Sequence, residues 1–247
     1  MSAETPSPEP RRKRGPRPRH SREEVVAAAI AIGDSGGLEG VTFRAVAARL
    51  RTGVMSLYNY VPDKETLVYE MAETASGEMN LPAPSGDWRA DLHAVARRQR
   101  EVMLRHPWLV EAISHLQPIG PATLALLEFA LEALDPTGLP ARERLEIIAL
   151  VNGFAMNMVR TELQAAAAAA AGPDGPAAAQ YARLPELLAT GRYPRFAACV
   201  AASGPPEPFD PEASFDRVLD KILDGLVGRT GSLCWHSVLP RQQEPRT

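Results

Sequence analysis

The chain has 247 residues, 45% of them hydrophobic, with alanine and leucine well ahead of the β-branched and aromatic types; that suffices for a sizeable core and favours helices over sheets. The net charge of -3 hides a split, because residues 1–64 hold 11 Lys+Arg against 7 Asp+Glu and the remainder 16 against 23, so the N-terminal part is the one suited to a polyanion. Cys199 and Cys234 stand apart from any His or Cys at metal spacing, no apolar segment follows the basic run RRKRGPRPRH, and no run approaches ~18 bulky apolar residues, which argues against a zinc site, a signal peptide and a membrane span and for a cytoplasmic protein.

In chain order, residues 1–20 are rich in Pro and Arg with little to bury, and are expected to form a disordered basic tail. Ser21 and Glu24 make a capping-box pattern ahead of a first helix with Val25, Val26, Ala29 and Ile30 inward, which Gly33, Gly36 and Gly37 are expected to stop. Thr42 caps a second helix with Val46, Ala47 and Leu50 inward. Arg51-Thr52-Gly53 is a turn, and a third, short helix covers Val54–Tyr60. Pro62 and Asp63 begin a fourth helix that reaches Met79. The run LPAPSGD at 81–87 marks a boundary, which gives a DNA-binding domain at 21–80 and a second domain at 81–228, with a flexible tail at 229–247.

In that second domain Asp87 caps a helix over Trp88–Arg105. Helices follow over Trp108–His115, 120–134 and 141–171, the last about 46 Å long at ~1.5 Å per residue. A weaker helix is expected over 177–190. Asp210 and Pro211 open a final helix with a stripe of Phe215, Val218, Leu219, Ile222, Leu223 and Leu226. No strand and no internal repeat is evident, so the fold class is all-α.

A helix, a three-residue turn and a short second helix have the spacing of a helix-turn-helix. Ala47 is small enough to let the helices cross closely, and Leu57 and Val61 anchor the second of them. That leaves Val54, Met55, Ser56, Asn59 and Tyr60 facing outward, with Tyr58 at the edge. Such mixed chemistry suits a major-groove wall, where polar groups read base edges and apolar groups meet thymine methyls. Lys64 opposes the dipole of the helix it begins, which points to a phosphate contact. Arg11, Arg12, Lys13, Arg14, Arg17 and Arg19 abut the first helix, and basic arms in that position can enter a minor groove.

The stretch GLEGVTFRAVAARLRTGVMSLYNYVPDKETLV resembles the DNA-binding signature of the TetR/AcrR family of bacterial regulators, strongly over 21–79 and more weakly over the body at 88–160. The resemblance implies nine or ten helices, a homodimer, a palindromic operator and repression as the usual mode. It places Thr42, Arg44, Ser56, Tyr58, Tyr60 and Lys64 at positions that touch DNA. Where that family has a glycine in the turn, this chain has Arg51. A positive φ there costs an arginine about 1 kcal/mol, so either the turn is altered or Arg51 adds a phosphate contact.

In the body, His93, His106 and His115 are 13 and 9 residues apart, which fits no metal-ligand spacing, and no cofactor is expected. Met103, Trp108, Phe129, Asn152, Met156 and Asn157 are the candidate walls of a cavity for a small apolar effector; Asn152 and Asn157 serve equally well at a surface or a dimer seam. Phe215, Leu219, Ile222 and Leu226 are the candidate dimer interface. The fourth helix, running from the DNA side toward the body, is the expected lever between effector and DNA. No P-loop, dinucleotide fingerprint, nucleophile elbow or metal motif points to an enzyme. The alternative function is an architectural DNA-binding protein without effector, against which the large second domain argues.

Overall fold

The computed structural model describes residues 20–116, 119–172, 174–203 and 210–227; Arg17 and Arg19, with the rest of the basic tail, and residues 228–247 lie outside them. Among the described residues there are twelve α-helices and no strand, two more helices than the upper number the resemblance implied. They are α1 (Arg22–Gly40), α2 (Phe43–Leu50), α3 (Val54–Leu57), α4 (Lys64–Ser76), α5 (Trp88–Arg105), α6 (Trp108–Leu116), α7 (Pro121–Leu134), α8 (Ala141–Ala171), α9 (Pro176–Ala182), α10 (Leu184–Ala189), α11 (Pro194–Ala202) and α12 (Pro211–Val227). A 3-10 turn, Gly77–Met79, follows α4 and another, Asp135–Thr137, follows α7.

The described residues form two compact units, one within 1–78 and 105–120, the other within 79–104 and 121–247. Segment 105–120, assigned from sequence to the second domain, therefore groups with the first. In that first unit α1 packs on α2, α4 and α6, and α4 also packs on α6. The core is built from Val25 and Ala29 of α1, Val46 and Ala47 of α2, Leu57, Val61, Leu67, Met71 and Leu109, all essentially inaccessible. Each fully buried leucine or valine of this kind contributes about 1.5–3 kcal/mol.

Local signals set the helix ends. The Ser21 hydroxyl accepts from the Glu24 amide at 3.2 Å while the Glu24 carboxylate accepts from the Ser21 amide at 2.9 Å, so the capping box is made in full. Thr42, Asp63, Asp87 and Asp210 each accept a first-turn amide of α2, α4, α5 and α12, respectively. Gly33 does not stop α1. It lies inside the helix, and a Cβ there would stand 3.0 Å from Trp108 Cδ1, so its missing side chain admits the indole of α6. The break comes at Gly37, with φ +67° and ψ -178°, which only glycine adopts readily.

In the second unit α8 packs on α7, α9 and α12. The buried residues of α8, Ile147, Ile148, Val151, Ala155 and Val159, recur at helical spacing. Beyond Val159 no residue is fully buried, Glu162 pairs with Arg100, and the mostly exposed alanine run continues on intrinsic propensity until Gly172, φ +71°. The single helix expected at 177–190 is two: Pro185, lacking an amide proton, sits at the start of α10 and separates it from α9. Helix α11 was not foreseen; it starts at Pro194 after the positive-φ Gly191.

Candidate nucleic-acid interface

The side chains proposed to face DNA stand on the outer surface of α2, α3 and the turns around them. Helix α2 ends in a Schellman motif: the Thr52 amide donates to Ala47 O at 3.0 Å and the Arg51 amide to Ala48 O at 3.2 Å, with Arg51 left-handed at φ +53°, ψ +45°. The turn thus keeps the geometry that glycine would favour, and arginine occupies it, exposed. Gly53 then leads into α3, which is shorter than expected. Its α-helical part stops at Leu57, and residues 58–60 continue as tight turns in which the Asn59 amide bonds Ser56 O and the Tyr60 amide bonds Leu57 O.

Leu57 and Val61 are completely buried and hold this segment down. Their neighbours face out: Met55 is 77% exposed and Tyr58 49%, and Val54 and Asn59 are also exposed while Ser56 is half-buried. A thioether and a phenol held in water on a rigid turn fit a surface that is covered on docking. Phe43, which the sequence did not single out, stacks on Tyr58 with ring centroids 4.7 Å apart. Tyr60 is only half exposed, and its hydroxyl accepts from the His20 amide at 3.3 Å, so it pins the chain where the basic tail enters α1. Thr42 and Arg44 are exposed, with the Thr42 hydroxyl accepting from the Ala45 amide at 3.1 Å. Lys64 is exposed and its Nζ donates to Leu38 O at 3.2 Å. That bond satisfies a carbonyl in the turn after Gly37, a structural duty beside any phosphate contact.

The effector candidates do not all come together. Met103 and Phe129 are buried in the second unit, where Met156 is half-buried and Asn152 accepts from Gln99 Nε2 at 3.0 Å. Asn157 is exposed and accepts from Arg160 at 3.1 Å. Trp108 belongs to the first unit: it is 3% exposed, lies over Gly33, and donates from Nε1 to Asp34 at 2.7 Å. It is thus a core residue of the first unit, whereas Met103 and Phe129 are in the second.

Phe215 and Leu219 are buried inside their own chain, Phe215 against Phe154 with ring centroids 5.0 Å apart and beneath the Arg100 guanidinium. Only Ile222 and Leu226 of the four keep partial exposure. Flanking the stripe, α12 carries a charge ladder to α5 that the sequence reading missed. Arg97 pairs with Asp216 at 2.8 Å, His93 with Asp220 at 2.8 Å and Arg89 with Asp224 at 2.6 Å. Each step is four residues on both helices, running in opposite directions, so the three pairs stack along one seam. The i, i+4, i+8 spacing of both triplets was visible in the sequence; their pairing was not. The bidentate bond from Arg97 holds the Asp216 carboxyl below the usual carboxylate range, against the effect of burial.

Comparison with known proteins finds relatives along most of the chain. The family model for the tetracyclin repressor-like C-terminal domain matches residues 81–229. The chain is 38% identical over 222 residues to the HTH-type transcriptional repressor DrrR1 of Streptomyces coeruleorubidus, covering 87% of this chain and 80% of that one. It is 29% identical over 223 residues to an HTH-type transcriptional regulator of Saccharopolyspora erythraea, covering 90% and 91%. Among solved structures, the TetR family protein ActR of Streptomyces coelicolor in complex with actinorhodin superposes with a TM-score of 0.70 at 23% identity, over 86% of this chain and 99% of that one. At that identity the likeness speaks for the fold.

Proposed function

The chain belongs to the tetracycline-repressor-like (TetR) family of transcriptional regulators, and from that premise we propose that it is a cytoplasmic repressor which binds a palindromic operator as a homodimer and is released by a small apolar effector. The observation that carries the DNA-binding part is the exposed surface of Val54, Met55, Tyr58 and Asn59 fixed over the buried anchors Leu57 and Val61. Met55 and Val54 offer contact to thymine methyls, and Ser56, Tyr58, Asn59 and Tyr60 offer groups to base edges. Thr42, Arg44 and Lys64 flank them and supply phosphate contacts that set register. Arg17 and Arg19 belong to the same proposal as minor-groove contacts from the tail.

Repression draws support from DrrR1, whose name describes a repressor, and effector release from ActR, solved with actinorhodin. The effector site belongs to the second unit, with Met103, Phe129, Asn152 and Met156 as wall residues and Asn157 at its outer end. The dimer is assigned to the outward faces of α8 and α12, where Leu150 is exposed and Ile222 and Leu226 are half exposed. A two-fold assembly would present two recognition turns to half-sites about 34 Å apart.

The test is selection of duplexes from a random pool by the purified chain. An inverted repeat is expected, bound by two copies. A collection of hydrophobic small molecules should contain members that weaken the complex by about 5–150-fold. Sequence-independent binding that no small molecule changes would favour the architectural alternative.

A further inference from the structure

His106 stands between two carboxylates. Its Nδ1 is 2.7 Å from Asp34 Oδ1 and its Nε2 is 3.3 Å from Glu78 Oε2, with the residue only 4% exposed. A neutral imidazole has one N–H and one lone pair, whereas an ionised carboxylate only accepts. One of the two contacts would then set a lone pair against an oxygen. The imidazolium donates at both nitrogens and removes the conflict. Asp34 Oδ1 also accepts from Trp108 Nε1 at 2.7 Å, and Glu78 Oε2 from Arg105 Nη1 at 2.6 Å. Burial pushes the Glu78 carboxyl up, but the bonds and charges of Arg105 and His106 outweigh it and keep the group below its ordinary range. Glu78 is therefore the acceptor-only partner that a doubly protonated ring requires.

The position of this ring matters as much as its charge. Asp34 is in α1, Glu78 is in the 3-10 turn that ends α4, Arg105 closes α5, and His106 and Trp108 lead into α6. All five belong to the first unit. At its other end α4 is tied to the turn after Gly37 by Lys64, and in its middle Arg22 makes a bidentate pair with Glu70. Helix α4 is thus fastened to α1 along its length, and the far fastening is the one that depends on a proton.

We infer that His106 is a proton-gated latch: as an imidazolium bridging Asp34 and Glu78 it holds the end of α4 against α1 and α6, and its deprotonation releases that end and lowers DNA affinity. Asp34, Glu78 and, through Glu78, Arg105 are the charged groups that face it. The sign follows from the chemistry. The latch is made while both carboxylates are ionised and the ring is protonated, it opens as rising pH removes the ring proton, and strong acid opens it again by neutralising the carboxylates. Histidine is the side chain whose charge changes in the range of about pH 5 to 8. Because α4 begins at the recognition turn, release of its far end changes how Tyr58, Asn59 and Lys64 are presented. This part rests on the DNA-binding reading above.

The experiment uses the full chain in three measurements. Two-bond proton–nitrogen correlations of His106 should show both ring nitrogens protonated at about pH 6, and a single-proton tautomer there would overturn the inference. Amide exchange in α4, corrected for its intrinsic pH dependence, should accelerate as that proton is lost. Affinity for a duplex selected by the wild-type chain should fall at least about fivefold over the same range. Glu78→Gln is the discriminating variant: it removes the charge that favours the imidazolium, and an amide NH2 in place of Oε2 can donate to a neutral ring nitrogen, giving up the bond from Arg105 that falls on the same atom. It should keep the fold and flatten both pH responses. Unchanged responses in Glu78→Gln would also overturn the latch. If the chain selects no duplex, the DNA-binding reading has failed, and the latch stands or falls on the first two measurements.

Discussion

The rings of Phe43 and Tyr58 lie parallel, 4.7 Å between centroids and 8° between planes. One face of an exposed tyrosine in the recognition turn is therefore committed to the first turn of the preceding helix. A stacked pair of this kind is worth about 0.5–1.5 kcal/mol beyond its buried area. Phe43→Ala should lower stability by at least that much in urea melts and weaken operator binding as the turn loosens. Tyr58→Phe keeps the stack, so any affinity it loses reports the phenol hydroxyl alone. Equal losses in the two variants would mean that the stack has no part in presenting Tyr58.

Arg51 offers a test in which stability and function move oppositely. Its φ of +53° is a conformation that glycine adopts about 1 kcal/mol more readily. Arg51→Gly should raise the urea midpoint by a corresponding amount. If the side chain occupies this turn for a phosphate contact, the same variant should bind the operator more weakly and lose about 0.9 of a unit of salt slope. A more stable protein with unaltered salt dependence would leave the arginine without a DNA role.

Lys64→Ala is expected to weaken binding to all duplexes alike and to reduce the salt slope by a similar fraction. Its bond to Leu38 O makes a small loss of stability part of the same expectation. Ser56→Ala, by contrast, should alter base preference by about 1–3 kcal/mol at one operator position and leave the salt slope unchanged. A reversal of these two patterns would exchange their roles.

The charge ladder predicts an acid-labile second unit. Asp216 has its carboxyl lowered by Arg97, so its stabilising contribution is complete above the unfolded value of about 3.9 and is lost as pH falls through the lower folded value. Asp216→Asn should be less stable than wild type at neutral pH, and the gap should narrow as the solution is acidified. Chemical denaturation followed across that range measures it. A gap constant with pH would show that the pair contributes through packing only.

Dimer formation is expected to fail when the outward face of α8 and α12 is charged, in Leu150→Glu with Ile222→Glu. Sedimentation should then show a folded monomer. Leu219→Glu is a different case: that side chain is 0% exposed within its own chain, and the variant should unfold the second unit. A stable dimer of the Leu150→Glu, Ile222→Glu variant would move the interface elsewhere.

Much of this protein is determined locally, and the sequence alone carried that part. Ser21 with Glu24, Thr42, Asp63, Asp87 and Asp210 name the starts of helices because a capping side chain bonds an amide two or three residues away, and no distant partner is needed. Leu57 and Val61 were recognisable as anchors because a four-residue spacing puts both on one side of the segment. The same periodicity put Val54, Met55 and Asn59 outward, as they are, but it also put Ser56 and Tyr60 outward and Tyr58 at the edge, whereas Ser56 and Tyr60 are half-buried and Tyr58 is exposed. What tertiary structure decided was which apolar residue meets which. Gly33 reads as a helix stop until Trp108 is brought over it, and Trp108 reads as a cavity wall until Asp34 accepts its indole proton. The stripe on α12 has one appearance in sequence whether it faces a partner or its own α5 and α8. Likewise, nothing local distinguishes His106 from a solvated histidine, since its two carboxylates lie 72 and 28 residues away. Periodicity fixes the direction in which a side chain points along its own helix, and only the packing of helices fixes what stands there.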